Sequence, residues 1–153
     1  MANGDYHSLA LSDNGKVYAT GSNAFGELGL GDTTDRDVFT LVSSLNDKNV
    51  TAISASSHSF AIDSDGKVYA TGHNSRGALG LGDSGYENNR FSFTPVPSLN
   101  DKNVTAVVAG SGYSFTLDNN GKIYATGVNG AGQLGLGDTT DRSVFTPVTV
   151  LDE

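Results

Sequence analysis

Larger side chains alternate with small ones in "HSLAL" at 7–11, with His7, Leu9 and Leu11 on one side and Ser8 and Ala10 on the other. A period of two marks a half-buried β-strand. The same phase returns in "HSFAI" at 58–62 and "YSFTL" at 113–117. Each run passes through "SDNGK", "DSDGK" or "DNNGK" into "VYATG" or "IYATG". An Asn-Gly or Asp-Gly pair between two such runs predicts a hairpin with a primed turn, because that turn requires positive φ. A third strand is predicted at "VFTLV" 38–42, "SFTPV" 92–96 and "VFTPV" 144–148. Pro95 and Pro147 lack an amide donor, which places this strand at a sheet edge. A fourth is predicted at "NVTAISA" 49–55 and "NVTAVVA" 103–109, whose small residues suit a crowded interior. No stretch sustains a helical period.

These strands belong to an internal repeat. Gly21, Gly72 and Gly127 of the three "YATG" segments stand 51 and 55 residues apart. The longer step reflects three extra residues in the Ser84–Asn89 region and one near Gly110–Gly112. A unit of about 51 residues divides the single domain 1–153 into repeats of roughly 1–48, 49–102 and 103–153. Four short antiparallel strands per unit, stacked by repetition, define an all-β fold of β-propeller blades.

Composition adds exclusions rather than chemistry. Twenty of the 153 residues are glycine, yet 37% are apolar, as in a turn-rich folded protein. The net charge is −8 and no basic run occurs, which argues against nucleic acid as a partner. There is no cysteine for a disulfide frame or a thiolate metal site. No signal peptide or membrane-length apolar segment is visible, a pattern compatible with the cytoplasm.

The most conserved phrase between copies is G-x-N-x-x-G-x-L-G-L-G-D. It comprises Gly21, Asn23, Gly26, Gly29, Gly31 and Asp32, then Gly72, Asn74, Gly77, Gly80, Gly82 and Asp83, then Gly127, Asn129, Gly132, Gly135, Gly137 and Asp138. With the preceding "HSLAL…DNGKVYATG", it resembles the regulator-of-chromosome-condensation repeat. That resemblance covers nearly the whole chain and implies a propeller, usually of seven blades, whose faces grip another protein. Its members range from a guanine-nucleotide exchange factor to plant photoreceptors, ligase-associated modules and a secreted β-lactamase inhibitor. The family often has Trp before the first glycine of the motif. Here Thr20, Thr71 and Thr126 stand there, a divergent feature.

Several lookalikes yield to this frame. Gly130-Ala-Gly132-Gln-Leu-Gly135 fits G-x-G-x-x-G, but no helix pattern follows it. Asp63-Ser-Asp65-Gly66 suggests a calcium loop, yet the remaining ligand positions fall on Ala61 and Gly72. His7 and His58 share one repeat position with Tyr113, as expected of a buried polar ring bonded to backbone. Residues common to all copies serve the blade, so single-copy residues are free to serve a partner. His73, whose equivalents are Ser22 and Val128, is such a residue. Arg76 and the loop residues Tyr86, Glu87 and Asn88 complete this predicted contact set. Arg90 aligns with Arg36 and Arg142 and is expected to be structural.

Three blades do not close a ring. Equating His7 with His58 puts Met1 opposite Ala52, and "TVLDE" falls opposite "SSLND" at 43–47. Two exposed flanks are expected, covered either by a second copy, giving six blades, or by the rest of a longer propeller. The function expected is a non-enzymatic protein-interaction scaffold without cofactor or metal. One alternative is a carbohydrate-binding propeller using Asn23, Asn74 and Asn129 with Tyr18, Tyr69 and Tyr124. A fragment of a guanine-nucleotide exchange factor is the other.

Overall fold

The computed structural model describes residues 1–151. It contains three four-stranded antiparallel sheets, each in sequential strand order. The first holds β1 (Ala2–Asn3), β2 (His7–Leu11), β3 (Val17–Gly21) and β4 (Arg36–Leu41). The second holds β5 (Val50–Ala55), β6 (His58–Asp63), β7 (Val68–Gly72) and β8 (Arg90–Pro95). The third holds β9 (Val104–Ala109), β10 (Tyr113–Asp118), β11 (Ile123–Gly127) and β12 (Arg142–Pro147). The proline-bearing strands β8 and β12 are indeed outer strands, and among the described residues the only helical turns are short 3-10 segments.

The hairpin turns differ from the primed form. Gly15 donates to the Ser12 carbonyl at 3.0 Å and Ser12 donates to the Lys16 carbonyl at 2.9 Å. Only the glycine of each turn (Gly15, Gly66, Gly121) has positive φ, while the preceding Asn or Asp does not. The result is a three-residue loop ending in a glycine bulge. Asp63 and Asp118 supply the reason for it. The Asp63 carboxylate accepts from the Asp65 and Lys67 amides at 2.9 and 3.0 Å, and Asp118 does the same for Asn120 and Lys122 at 2.8 and 2.9 Å. This side-chain turn stabilises the longer loop.

The inner strands also align differently from the 51-residue step. Ala2 pairs with Leu9, Ser54 with Phe60 and Val108 with Phe115. The first and third inner turns therefore hold one residue more than the second, and Met1 stands opposite Ile53 rather than Ala52.

The sheets stack front to back. The front of the first sheet (Leu9, Val17, Leu28) packs on the back of the second (Ala61, Tyr69, Phe93). The front of the second (Phe60, Ile62, Leu79) packs on the back of the third (Tyr124, Phe145). Strands β6 and β7 are consequently buried along their whole length, not on alternate residues as period-two patterning predicts. Small Ser, Ala and Thr side chains on the second face let a neighbouring sheet approach.

The glycine-rich loop makes that approach possible. Leu30 of the first loop bridges Ser92 of β8, and Leu81 of the second bridges Val144 of β12. Gly31 and Gly82 donate to the Phe91 and Ser143 carbonyls at 2.7 and 2.8 Å. Each loop thus covers the open edge of the next outer strand, a protection such edges need. Gly29 lies flat on the Phe93 ring and Gly80 on the Phe145 ring, both at positive φ, with no room for a Cβ. Gly135 of the third loop has the same φ of +68° and only Val148 near it, at 3.8 Å.

Gly80→Ala should therefore destabilise more than Gly135→Ala. Positive φ costs both variants about 1–2 kcal/mol. The Phe145 collision adds about 1–3 kcal/mol to Gly80→Ala alone. Urea unfolding of the two variants measures the difference, and equal losses would show that the loop does not tie the sheets together.

Candidate functional site

The repeated polar residues face inward. Asn23 is fully buried and its Nδ2 donates among the Asp32 carbonyl, the Asp32 carboxylate and the Thr34 carbonyl at 2.9–3.1 Å. Its Oδ1 accepts the Leu28 amide at 3.0 Å. Asn74 and Asn129 repeat this arrangement within their own loops. Arg36 grips Asp32 at 2.7 Å, Arg90 grips Asp83 at 2.6 Å and Arg142 grips Asp138 at 2.7 Å. The guanidinium groups hold the Asp32 and Asp138 carboxyls below their ordinary range. The loop is thus folded around one saturated amide.

Burial also overturns the carbohydrate alternative's choice of residues. The three asparagines have no surface, and Tyr69 and Tyr124 are buried with hydroxyls 3.1 and 3.3 Å from Asp63 and Asp118. Burial and the Asp63 charge push Tyr69 up to about 12, so it stays a donor. Tyr18, on the first sheet, is only partly buried.

The paired histidines form relays between sheets, where backbone partners were expected. His7 Nε2 lies 2.7 Å from Ser59 Oγ, and Ser59 donates to the Glu27 carbonyl at 2.8 Å. His58 Nε2 lies 2.7 Å from Ser114 Oγ, which donates to the Ala78 carbonyl at 2.9 Å. A serine proton committed to a carbonyl makes Nε2–H the imidazole donor. Burial lowers His7 to about 4 and His58 to about 3, so both rings are neutral at pH 7. These are joints between blades. Among the described residues no group of three or more His, Asp or Glu is placed to hold a metal ion.

The single-copy residues gather on one loop face. The His73 ring stands edge-on to Phe25 at 4.8 Å between centroids and to Tyr86 at 5.3 Å. Phe25 comes from the first glycine loop, His73 from the end of β7 and Tyr86 from the 3-10 turn Tyr86–Asn88. Burial lowers His73 and keeps it neutral against the aromatic rings. Arg76 Nε reaches Asp141 Oδ2 at 2.6 Å, tying the second repeat's loop to the third. A groove of about 260 Å³ runs between Phe25, His73, Arg76, Ser57 and Gly112.

Glu87 and Asn88 stand differently. Glu87 is exposed and folds its carboxylate over Gly85. Asn88 donates to the Ser84 carbonyl at 2.8 Å while its own carbonyl accepts from Asn74 at 3.2 Å, so it shapes the enlarged loop. Phe25 is the residue that sequence reasoning missed. Its equivalents are Arg76 and Ala131, and the same single-copy rule that selected His73 would have found it.

Four-stranded sheets stacked front to back, each joined to the next by one repeated loop, are the blades of a β-propeller. A family model described as the regulator of chromosome condensation (RCC1) repeat matches residues 65–117 and 120–152, and a second of the same description matches 2–27 and 50–78. The chain belongs to the RCC1 repeat family. It is 36% identical over 148 residues to the human X-linked retinitis pigmentosa GTPase regulator, matching 96% of this chain and 14% of that protein. It is 37% identical over 151 residues to the mouse probable E3 ubiquitin-protein ligase HERC4, matching 95% of this chain and again 14% of the relative. The chain therefore spans about one seventh of these curated relatives. Among solved structures, Prp20p from Saccharomyces cerevisiae superposes with a TM-score of 0.83 at 24% identity, over 96% of this chain and 37% of that one.

The relays make stability pH-dependent. Both histidines have folded pKa values below the usual 6.5, so the unfolded chain binds more protons between the two values. Their contribution is full above about pH 6.5 and is lost as pH falls toward 3–4. Unfolding free energies from urea titrations should drop by about 1 kcal/mol per buried histidine between pH 7 and 5.5. His73, also lowered, adds in the same direction. His58→Gln should flatten the slope by one histidine's share; an unchanged slope would mean that folding does not shift the titration of His58.

Proposed function

We propose that this chain is a set of propeller blades serving as a protein-binding scaffold, without catalysis of its own, and that Phe25, His73, Arg76 and Tyr86 form its contact face. The observation that carries this reading is the aromatic row Phe25–His73–Tyr86, assembled from two repeats and present in no other pair of loops. Phe25 and Tyr86 are exposed, Arg76 is half-solvated, and these residue types dominate binding energy at protein interfaces. Phe25, His73 and Arg76 line a groove that gives a partner side chain somewhere to insert. Solved RCC1-type structures support a protein partner. The Prp20p structure is reported with its binding properties to Gsp1p and histones, and the same yeast protein is reported bound by Kap60. The −8 charge points this chain's face toward a partner other than a nucleic acid.

Affinity capture from extracts of the source cells, with the wild-type chain, Phe25→Ser, Tyr86→Ala and Asp13→Ala as baits, tests the assignment. Proteins held by the wild type should be lost from the first two variants and kept by Asp13→Ala, since Asp13 is exposed in the β2–β3 turn at the other end of β3 from the glycine loop. Once a partner is purified, each aromatic truncation should weaken binding about 10-fold or more. Equal capture by all four baits would place the contact surface elsewhere.

A further inference from the structure

The two sheet junctions inside the chain are assembled from one set of parts, and the outermost sheets carry the same parts unused. On the back of the second sheet Ser59, Tyr69, Thr71 and Phe93 are buried; on the third, Ser114, Tyr124, Thr126 and Phe145 are. The first sheet offers the matching Ser8, Tyr18, Thr20 and Phe39 with nothing packed on them. Phe39 is 47% exposed, against 7% for Phe93 and 6% for Phe145. The Thr71 hydroxyl shares its proton between the Gly26 and Arg90 carbonyls at 2.8 and 2.9 Å, whereas Thr20 meets only the Arg36 carbonyl, at 2.9 Å.

The front of the third sheet is the unused counterpart. Phe115, Leu117, Ile123 and Val108 line an apolar hollow of about 340 Å³. Leu151 beside it is 61% exposed, although its equivalents Leu45 and Leu99 are 1% and 0% exposed under the following sheet. Gly132 and Gln133 stand at the positions whose carbonyls, in Gly26, Glu27, Gly77 and Ala78, accept from the next sheet's Thr and Ser. Gly135 is exposed where Gly29 and Gly80 are buried on phenylalanine rings. One end of the molecule is a plug and the other its socket.

We propose that the third sheet of one copy of this chain docks front to back on the first sheet of a second copy, through the same loop-in-socket contact that joins its own sheets. In this junction Ser8 and Thr20 donate to the Gln133 and Gly132 carbonyls, and Phe39 lies under Gly135. Tyr113 occupies the place that His7 and His58 hold in the other two junctions and meets Ser8. The faces match each other and not themselves, since front-to-front pairing would set glycine loop against glycine loop. A repeat of the junction at the other end joins two copies into a closed pair with twofold symmetry, the commonest arrangement for copies of one chain. The aromatic face around His73 takes no part in it.

Cysteine trapping reads the junction directly, because the chain has no cysteine of its own. The bridges Leu30 to Ser92 and Leu81 to Val144 make Leu136 and Val38 the corresponding pair across the proposed junction. Directly opposed strand residues lie at a spacing that a disulfide spans. A variant carrying both Leu81→Cys and Val144→Cys serves as the internal control and should close within one chain. Under a glutathione redox buffer, Val38→Cys mixed with Leu136→Cys should give a covalent pair about tenfold faster than either variant alone. Light scattering of the wild-type chain should rise with concentration from 15.8 kDa toward twice that mass. Cross-linking of the mixture no faster than of the separate variants, with the control closed, would overturn front-to-back docking. A wild-type mass held at 15.8 kDa up to about 0.5 mM would overturn self-association and assign both faces to further blades of a longer polypeptide.

Discussion

The fold depends on the contact between a glycine that carries no side chain and the phenylalanine ring of the following sheet. Gly29 on Phe93 and Gly80 on Phe145 bring the loop backbone close enough to bridge the neighbouring outer strand. Everything else at the junction follows from that distance. The Thr71 and Thr126 hydroxyls reach loop carbonyls only because the loop lies against the ring, and the serines reach Glu27 and Ala78 for the same reason. A single methyl at either glycine moves all these partners together. The polar bonds act as registration marks for an apolar joint, since each buried hydroxyl that misses its carbonyl leaves an unsatisfied group.

Much of this was legible in the sequence, and the missing part has a physical reason. Strands, their order and the outer position of Pro95 and Pro147 follow from local patterning, where each residue's neighbours decide its conformation. The turn was misread because Asp63 and Asp118 intervene from outside the Asp-Gly or Asn-Gly pair, which on its own favours a shorter loop. Burial of β6 and β7 on both faces was invisible in the period of two, because small polar residues such as Ser59 and Thr71 serve as interior when another sheet covers them. The partners of His7 and His58 lie 52 and 56 residues away, and nothing in the local pattern points to a serine at that separation.

The candidate face was legible for a different reason, which is comparison between copies. A residue required by the blade must recur in every blade, so His73 and Arg76 stood out against Ser22, Val128 and Ala131. Phe25 obeys the same rule, since Arg76 and Ala131 stand at its position in the other copies. The rule gave a mixed answer for the enlarged loop. Asn88 joined that loop as an apparent surplus, yet its carbonyl completes the hub around Asn74, the task that the Thr34 and Thr140 carbonyls perform elsewhere. Inserted length changes which residue supplies a structural atom without removing the need for the atom.

Repetition has a further consequence for how the molecule can associate. Three sheets joined by one junction used twice present half of that junction on each outer flank, and the two halves are complementary by construction. Neither half needs to have been shaped for a partner, because the internal joints already fix their form through Phe93, Phe145, Thr71 and Thr126. Among the relay residues the departure is Tyr113 in place of histidine, at the front of the third sheet. A phenol can donate to Ser8 as Nε2–H donates to Ser59 and Ser114. Acid that protonates His7 and His58 would strain the two internal joints, where burial holds both rings neutral. In the proposed pairing, the joint between copies differs from the joints within them in the group that faces the serine.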